Sequence, residues 1–192
     1  MAGFLKPSQP EELLRVTTRQ KAIEAGLDYL HGAGADHICS VCIPNGGSCC
    51  IGCDFLNNGV GCQRRNTSCT AWLCGFQKFI FYEAGLITEW ESFWEQVPGQ
   101  LFREDATPPT FGVTSLLQPP KIRFLSEAFA EDLKELIPLN HSLWILEIKA
   151  MVDRYVDMLT QYQDPEIKRK IEKKLHYATK DFRHFNLAVK QL

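Results

Sequence analysis

Outside residues 39–74 the chain has no cysteine at all. It also lacks an uncharged apolar run long enough to cross a bilayer. Its first residues, Met-Ala-Gly-Phe-Leu-Lys-Pro, lack the basic region, apolar stretch and cleavage site of an export signal. These absences point to the cytoplasm, where thiols stay reduced, and to no membrane partner. An excess of one charge is missing too. The net charge is −2 over 192 residues, so composition neither selects nor rejects nucleic acid. Gly46-Gly47 follows no strand and makes no nucleotide fingerprint, and neither a nucleophile elbow nor a zinc-protease motif occurs.

What is present is a dense run of eight cysteines: Cys39, Cys42, Cys49, Cys50, Cys53, Cys62, Cys69 and Cys74. In a reducing compartment such a run reads as metal or cluster ligation, with a disulfide framework as the second reading. Thiolates are soft ligands that suit zinc, copper(I) and iron–sulfur clusters. Two C-x-x-C hooks, Cys39/Cys42 and Cys50/Cys53, each let two sulfurs converge on one ion. Four ligands are needed, so the others come from Cys62, Cys69 and Cys74. Neighbouring side chains diverge, so Cys49 and Cys50 do not share one mononuclear ion. The spacing leaves open one centre or two. Aromatic residues after Cys74 would exclude water, which tilts the reading toward iron–sulfur, with one or two zinc ions as the alternative.

Cys49-Cys50, Cys53-Asp54-Phe55-Leu56, Gly61-Cys62, Cys69 and Trp72-Leu73-Cys74 follow one another in an order that resembles the YkgJ-type zinc- or iron-chelating cysteine-cluster family. The family pairs this element with an upstream C-x-x-C, here Cys39 and Cys42. The resemblance covers residues 39–74 only. It implies a bound zinc or iron–sulfur centre whose ligands are drawn from the eight cysteines. It supplies no activity.

The remainder reads as helix, giving a mostly α helical bundle around a metal-organised loop. The expected units are residues 1–97, a proline-rich connector over 98–120 that is extended or wrapped over the surface, and a three-helix region over 121–192. Ser8-x-x-Glu11 suggests a capping box for a first helix through Leu13, Val16, Ile23, Leu27 and Leu30, ended by Gly32 and Gly34. Residues 37–69 show no periodicity and are expected to need ligation for order. A helix from near Thr70 to near Gly85 is apolar all round and therefore buried, with Cys69 at its electropositive start. Thr88-x-x-Glu91 suggests a short helix whose Glu89, Glu91 and Glu95 form a solvated face. Ser126, Asn140 and Asp164 are candidate caps for the last three helices, the final two forming an antiparallel hairpin. No strand pair is expected.

His31 and His37 flank the cysteines, and the expectation for His37 is a solvated loop residue rather than a ligand. From Asp164 onward the chain carries net charge +4, against −6 before it. This basic tail could touch nucleic acid, but interrupting acids and an apolar stripe favour an ordinary packed helix. The reading is a cytoplasmic metal-binding protein with an iron–sulfur centre, serving as a redox, maturation or modification factor with a protein partner. The alternative is a structural zinc module that binds a partner or nucleic acid.

Overall fold

The computed structural model describes residues 14–47, 53–57, 61–62, 65–101 and 104–192. They are mostly helical, as expected. Ser8 and Glu11 lie outside them.

The first described element corrects the expectation of a helix through Val16. Strand β1, Arg15–Thr18, pairs antiparallel with a strand, Thr110–Val113, from the proline-rich segment. The run Val16-Thr17-Thr18 is β-branched, and such side chains pack better on a pleated strand than in a helix. Thr18 then caps helix α1, Arg19–Gly32, by accepting from the Lys21 N–H at 3.2 Å. The buried face of α1 is Ala22, Gly26, Tyr29 and Leu30 rather than the Ile23 and Leu27 side. A Cβ on Gly26 would stand 2.5 Å from the Trp94 ring, so the missing side chain sets how close α1 lies. Gly34, at φ +79, makes the left-handed turn into helix α2, Ala35–Cys42.

Helix α2 is a second correction. Ile38, Val41 and Cys42 are buried against helix α6, Arg123–Leu136, so this part of the cysteine segment is ordered by burial. Strands β2, Leu56–Asn57, and β3, Gly61–Cys62, form a short antiparallel ribbon. The expected single helix from Thr70 to Gly85 is two helices, α3, Thr67–Ala71, and α4, Gly75–Glu83. The break at residues 72–74 is held from outside, because the Trp90 indole N–H donates to the Ala71 carbonyl at 2.8 Å.

Helix α5, Ile87–Trp94, follows without a side-chain cap from Thr88. Three two-stranded pairs correct the expectation of none: β1 with β6 (Thr110–Val113), β2 with β3, and β4 (Gln100–Leu101) with β5 (Glu104–Asp105). The proline-rich segment thus supplies strands, and it also buries Val113 and Leu117.

In the C-terminal part Asp164 caps helix α8, Pro165–Ala178, by accepting from Glu166 N and Ile167 N, as its sequence suggests. Ser126 does not cap α6. It lies inside the helix and donates to the Ala33 carbonyl, tying α6 to the end of α1. Asn140 follows a 3-10 turn, Ile137–Leu139, and donates back to Leu136 O, while helix α7, Trp144–Gln161, starts four residues later. Helices α7 and α8 pack as the expected hairpin. The stripe from Ile167 to Val189 is split, since α8 ends at Ala178 and helix α9, Arg183–Val189, folds separately onto α6.

Two apolar clusters result. One joins α2, α4, α6, α7, α8 and α9, and the other joins α1, α5 and β6. Helix α4 borders both, with Phe76, Phe79 and Ile80 in the first and Phe81 in the second. Lys78 fastens α4 to α7 through Asp153 at 2.6 Å and Asp157 at 2.7 Å. Burial pulls the Lys78 pKa down, but its bonds to the two carboxylates outweigh that and leave it above the usual lysine value. In the first cluster Phe129 is fully buried, with ring centroids 5.2 Å from Phe76, 4.9 Å from Phe182 and 5.3 Å from Phe185. Removing this shared ring opens a cavity against α4 and the start of α9. Phe129→Ala is expected to cost about 3–5 kcal/mol. Urea unfolding checks it, and a loss below about 1 kcal/mol would mean that the ring cluster relaxes around the gap.

Candidate metal centre

The cysteines stand on several elements. Cys39 and Cys42 occupy the last turn of α2, three residues apart and thus on one helical face. The Cys42 thiol is buried and donates to the Gly47 carbonyl at 3.2 Å, while Gly47 N donates to Cys42 O at 2.9 Å. A Cβ on Gly47 would lie 2.0 Å from the Cys42 sulfur. The loop can close over this thiol only because residue 47 is glycine.

Cys74 is the N-cap of α4, not a residue within it. Its sulfur accepts from the Gln77 backbone N–H, and the Gln77 Oε1 accepts from Cys74 N at 3.4 Å. This is a capping box with a thiol in the hydroxyl's place. The Gln77 Nε2, at the other end of the same buried amide, donates toward the Cys39 sulfur at 4.0 Å. Gln77 thus spans the C-terminal turn of α2 and the N-terminus of α4. The nine-residue α4 directs its positive end at this place, where thiolate or an anionic cluster is favoured. Nothing pointed to Gln77 at first reading, although C-x-x-Q matches the capping-box pattern with cysteine for serine.

Cys69 differs from expectation. It belongs to the five-residue α3 rather than to the start of the apolar helix, and it is half-buried. Its N–H donates to the N-cap Asn66 side chain at 2.8 Å. Helix α3 is anchored by buried Thr67, whose hydroxyl bonds Asp105 at 2.7 Å and Thr107 at 2.8 Å. Cys53 is half-buried and precedes β2, and Cys62 pairs with Leu56 across the β2–β3 ribbon. Cys49 and Cys50 lie outside the described residues. No disulfide joins two of the five thiols Cys39, Cys42, Cys53, Cys69 and Cys74. Among the described residues the only three ligand-type groups with donor atoms within 4.8 Å of one another are Asp132, Glu135 and His184. The structure therefore draws Cys39, Cys42 and Cys74 toward one end of α4 without setting three described sulfurs in a ligand triangle.

The Asp132 group has a structural account. Asp132 is buried on α6, and its two oxygens accept from His184 N at 3.0 Å and Phe185 N at 2.8 Å. It caps α9 from a neighbouring helix, and burial raises its pKa. Glu135 contacts the His184 ring at 3.2 Å and raises the pKa of that imidazole.

The flanking histidines meet at Arg123. Its guanidinium grips Asp36 with two bonds of 2.9 and 2.8 Å, and stands 3.2 Å from His31 Nδ1 and 3.0 Å from His37 Nε2. His37 is on α2, not in a loop. Its Nε2 faces a permanent donor and so serves as acceptor there. The Arg123 bonds hold the Asp36 carboxyl below the usual range. Glu89 is not merely solvated, because it accepts from the Tyr29 hydroxyl at 2.8 Å. Burial raises the Tyr29 pKa most, and Glu89 adds to it.

No protein-family model, curated protein or solved structure matches this chain.

Burial pushes the Asp105 pKa up, but hydrogen bonds from Thr67 and Thr107 prevail and hold it below the usual carboxyl range. Its stabilisation is therefore complete above the unfolded value of about 3.9 and is lost as pH falls through the depressed folded value. Solvent screens this half-exposed group, so Asp105→Asn is expected to cost about 1 kcal/mol at neutral pH. Urea midpoints compared from pH 7 toward pH 3 should converge. A gap that stayed constant with pH would show that the carboxylate charge is not what anchors α3.

Proposed function

We propose that this chain is a metal-binding protein whose cysteine-ligated centre is an iron–sulfur cluster, and that it serves as a redox, maturation or modification factor. The observation that carries the reading is the bridging of Cys39 and Cys74 by one buried amide, Gln77, with Cys42 in the same apolar cluster. All eight cysteines of the chain fall in the 36 residues that include this place. The resemblance of residues 39–74 to the zinc- or iron-chelating cysteine-cluster family supports the same reading.

The surroundings fit such a group. Phe76, Phe79 and Ile80 follow Cys74 and are almost wholly buried, which gives a dry wall. The positive helix end offsets what burial costs an anionic cluster, and the dry wall keeps water from it. The four thiolates that a cluster needs would be drawn from Cys39, Cys42 and Cys74 and from Cys50, Cys53, Cys62 and Cys69, and the cysteines left over, Cys49 among them, would bridge, serve a second position or stay unligated. A cytoplasmic location would keep these thiols available for metal. No helix of the described residues is long and apolar enough to cross a membrane.

Iron and acid-labile sulfide analysis of anaerobically purified protein tests this. Brown protein holding both in stoichiometric amounts is expected. Colourless protein with stoichiometric zinc would replace the cluster with a structural zinc site, and protein with no metal and paired cysteines would end both readings. Cys53→Ala and Cys69→Ala are expected each to lose the metal while helix content stays near wild type by circular dichroism. Full metal retention in both variants would show that the ligands lie elsewhere.

A further inference from the structure

Helix α7 carries two apolar seams. Ile145, Ile148, Val152, Val156 and Leu159 are buried in the core. Trp144, Ile148, Met151 and Tyr155 recur at alternating steps of four and three, the spacing of a coiled-coil seam, and the pattern continues at Met158 and Tyr162. The first four of these line a groove of about 440 Å³ between the start of α7 and the end of α8. Met151 is 40% exposed in it, and Tyr177 on the opposite wall is 72% exposed. Ile148 is buried at the groove's floor, Trp144 and Tyr155 are partly buried, and Met151 is exposed, so the seam opens to solvent at Met151 and along the Tyr177 wall.

The charge around the groove selects the occupant. Lys173, Lys174 and Lys180 line it against a single acid, Asp181. The Lys180 ammonium lies 4.6 Å from the Tyr177 ring centroid, so an aromatic wall and a cation stand together. Helix α8 itself carries five basic residues against two acids. From Trp144 to Tyr155 the floor runs about 16 Å, three turns of helix. A bare phosphate backbone would not use an aliphatic floor of Ile148 and Met151. A helix with one apolar face and acidic flanks would use floor and rim alike.

We propose that the α7–α8 groove docks an acidic amphipathic helix of a partner protein, its apolar face on Ile148, Met151 and Tyr155 and its carboxylates against Lys173, Lys174 and Lys180. This surface is remote in sequence from the cysteines and stands or falls without them.

The test uses the full chain and a labelled helical peptide matched to the 18 residues of α7, with Leu at the heptad positions and Glu on both flanks. The same peptide with Lys for Glu, and a single-stranded oligouridylate, are the comparisons in fluorescence anisotropy. The acidic peptide should bind, the Lys peptide should not, and added salt should weaken the complex. Met151→Glu and the triple variant K173E/K174E/K180E should each weaken binding by about tenfold or more. Both substitute exposed groove positions, and unchanged circular dichroism separates a lost surface from a lost fold. Failure of the acidic peptide to bind, or equal binding by Met151→Glu, would overturn the proposal. Preferential binding of the oligouridylate would overturn it in favour of a nucleic-acid surface.

Discussion

Helix α4 is pressed between two apolar clusters, with Phe76, Phe79 and Ile80 on one side and Phe81 on the other. Each such side chain contributes roughly 1.5–3 kcal/mol when taken from water, so this short helix holds the two clusters together. A helix buried on both sides has no polar face to give direction, and its position is set by its ends and by one charge. Lys78 supplies the charge, held by Asp153 and Asp157 of α7. Cys74 and Gln77 supply the N-terminal end. The candidate metal centre therefore sits at the capped, electropositive start of a helix buried on both sides, and its thiols inherit the rigidity of the packing behind them.

The same arrangement explains how the cysteine segment is tied down at both margins. Its leading part is α2, ordered by Ile38 and Val41 against α6. Its trailing part is α3, ordered by Thr67, Asp105 and Thr107 and by the Trp90 bond to Ala71.

Features carried by neighbouring residues could be read directly. The Asp164-Pro165 start of α8, the turn at Gly34 and the all-round apolar character of α4 rest on contacts within a few positions or on composition alone. Features decided by distant residues could not. Strand β1 finds its partner at Thr110–Val113, across most of the N-terminal half. The break after Ala71 depends on a donor nineteen positions away. Ser126 looks like a cap, but its hydroxyl is claimed by the Ala33 carbonyl. The stripe through α8 and α9 was continuous in pattern, and Asp132 of α6 divides it by offering α9 an N-terminal cap of its own. At the centre itself the cysteines were evident, whereas Gln77 and Gly47 were not, because neither is a ligand and each matters through what it touches.

The ring cluster around Phe129 is completed by Phe182 and Phe185, and Asp132 and Phe185, the pair that locks α9 in place, stand 53 positions apart. Synthesis at a few to some twenty residues per second leaves Phe129 uncovered for roughly 3–10 s after its own helix emerges. During translation the half-built core is thus an apolar surface awaiting its last piece.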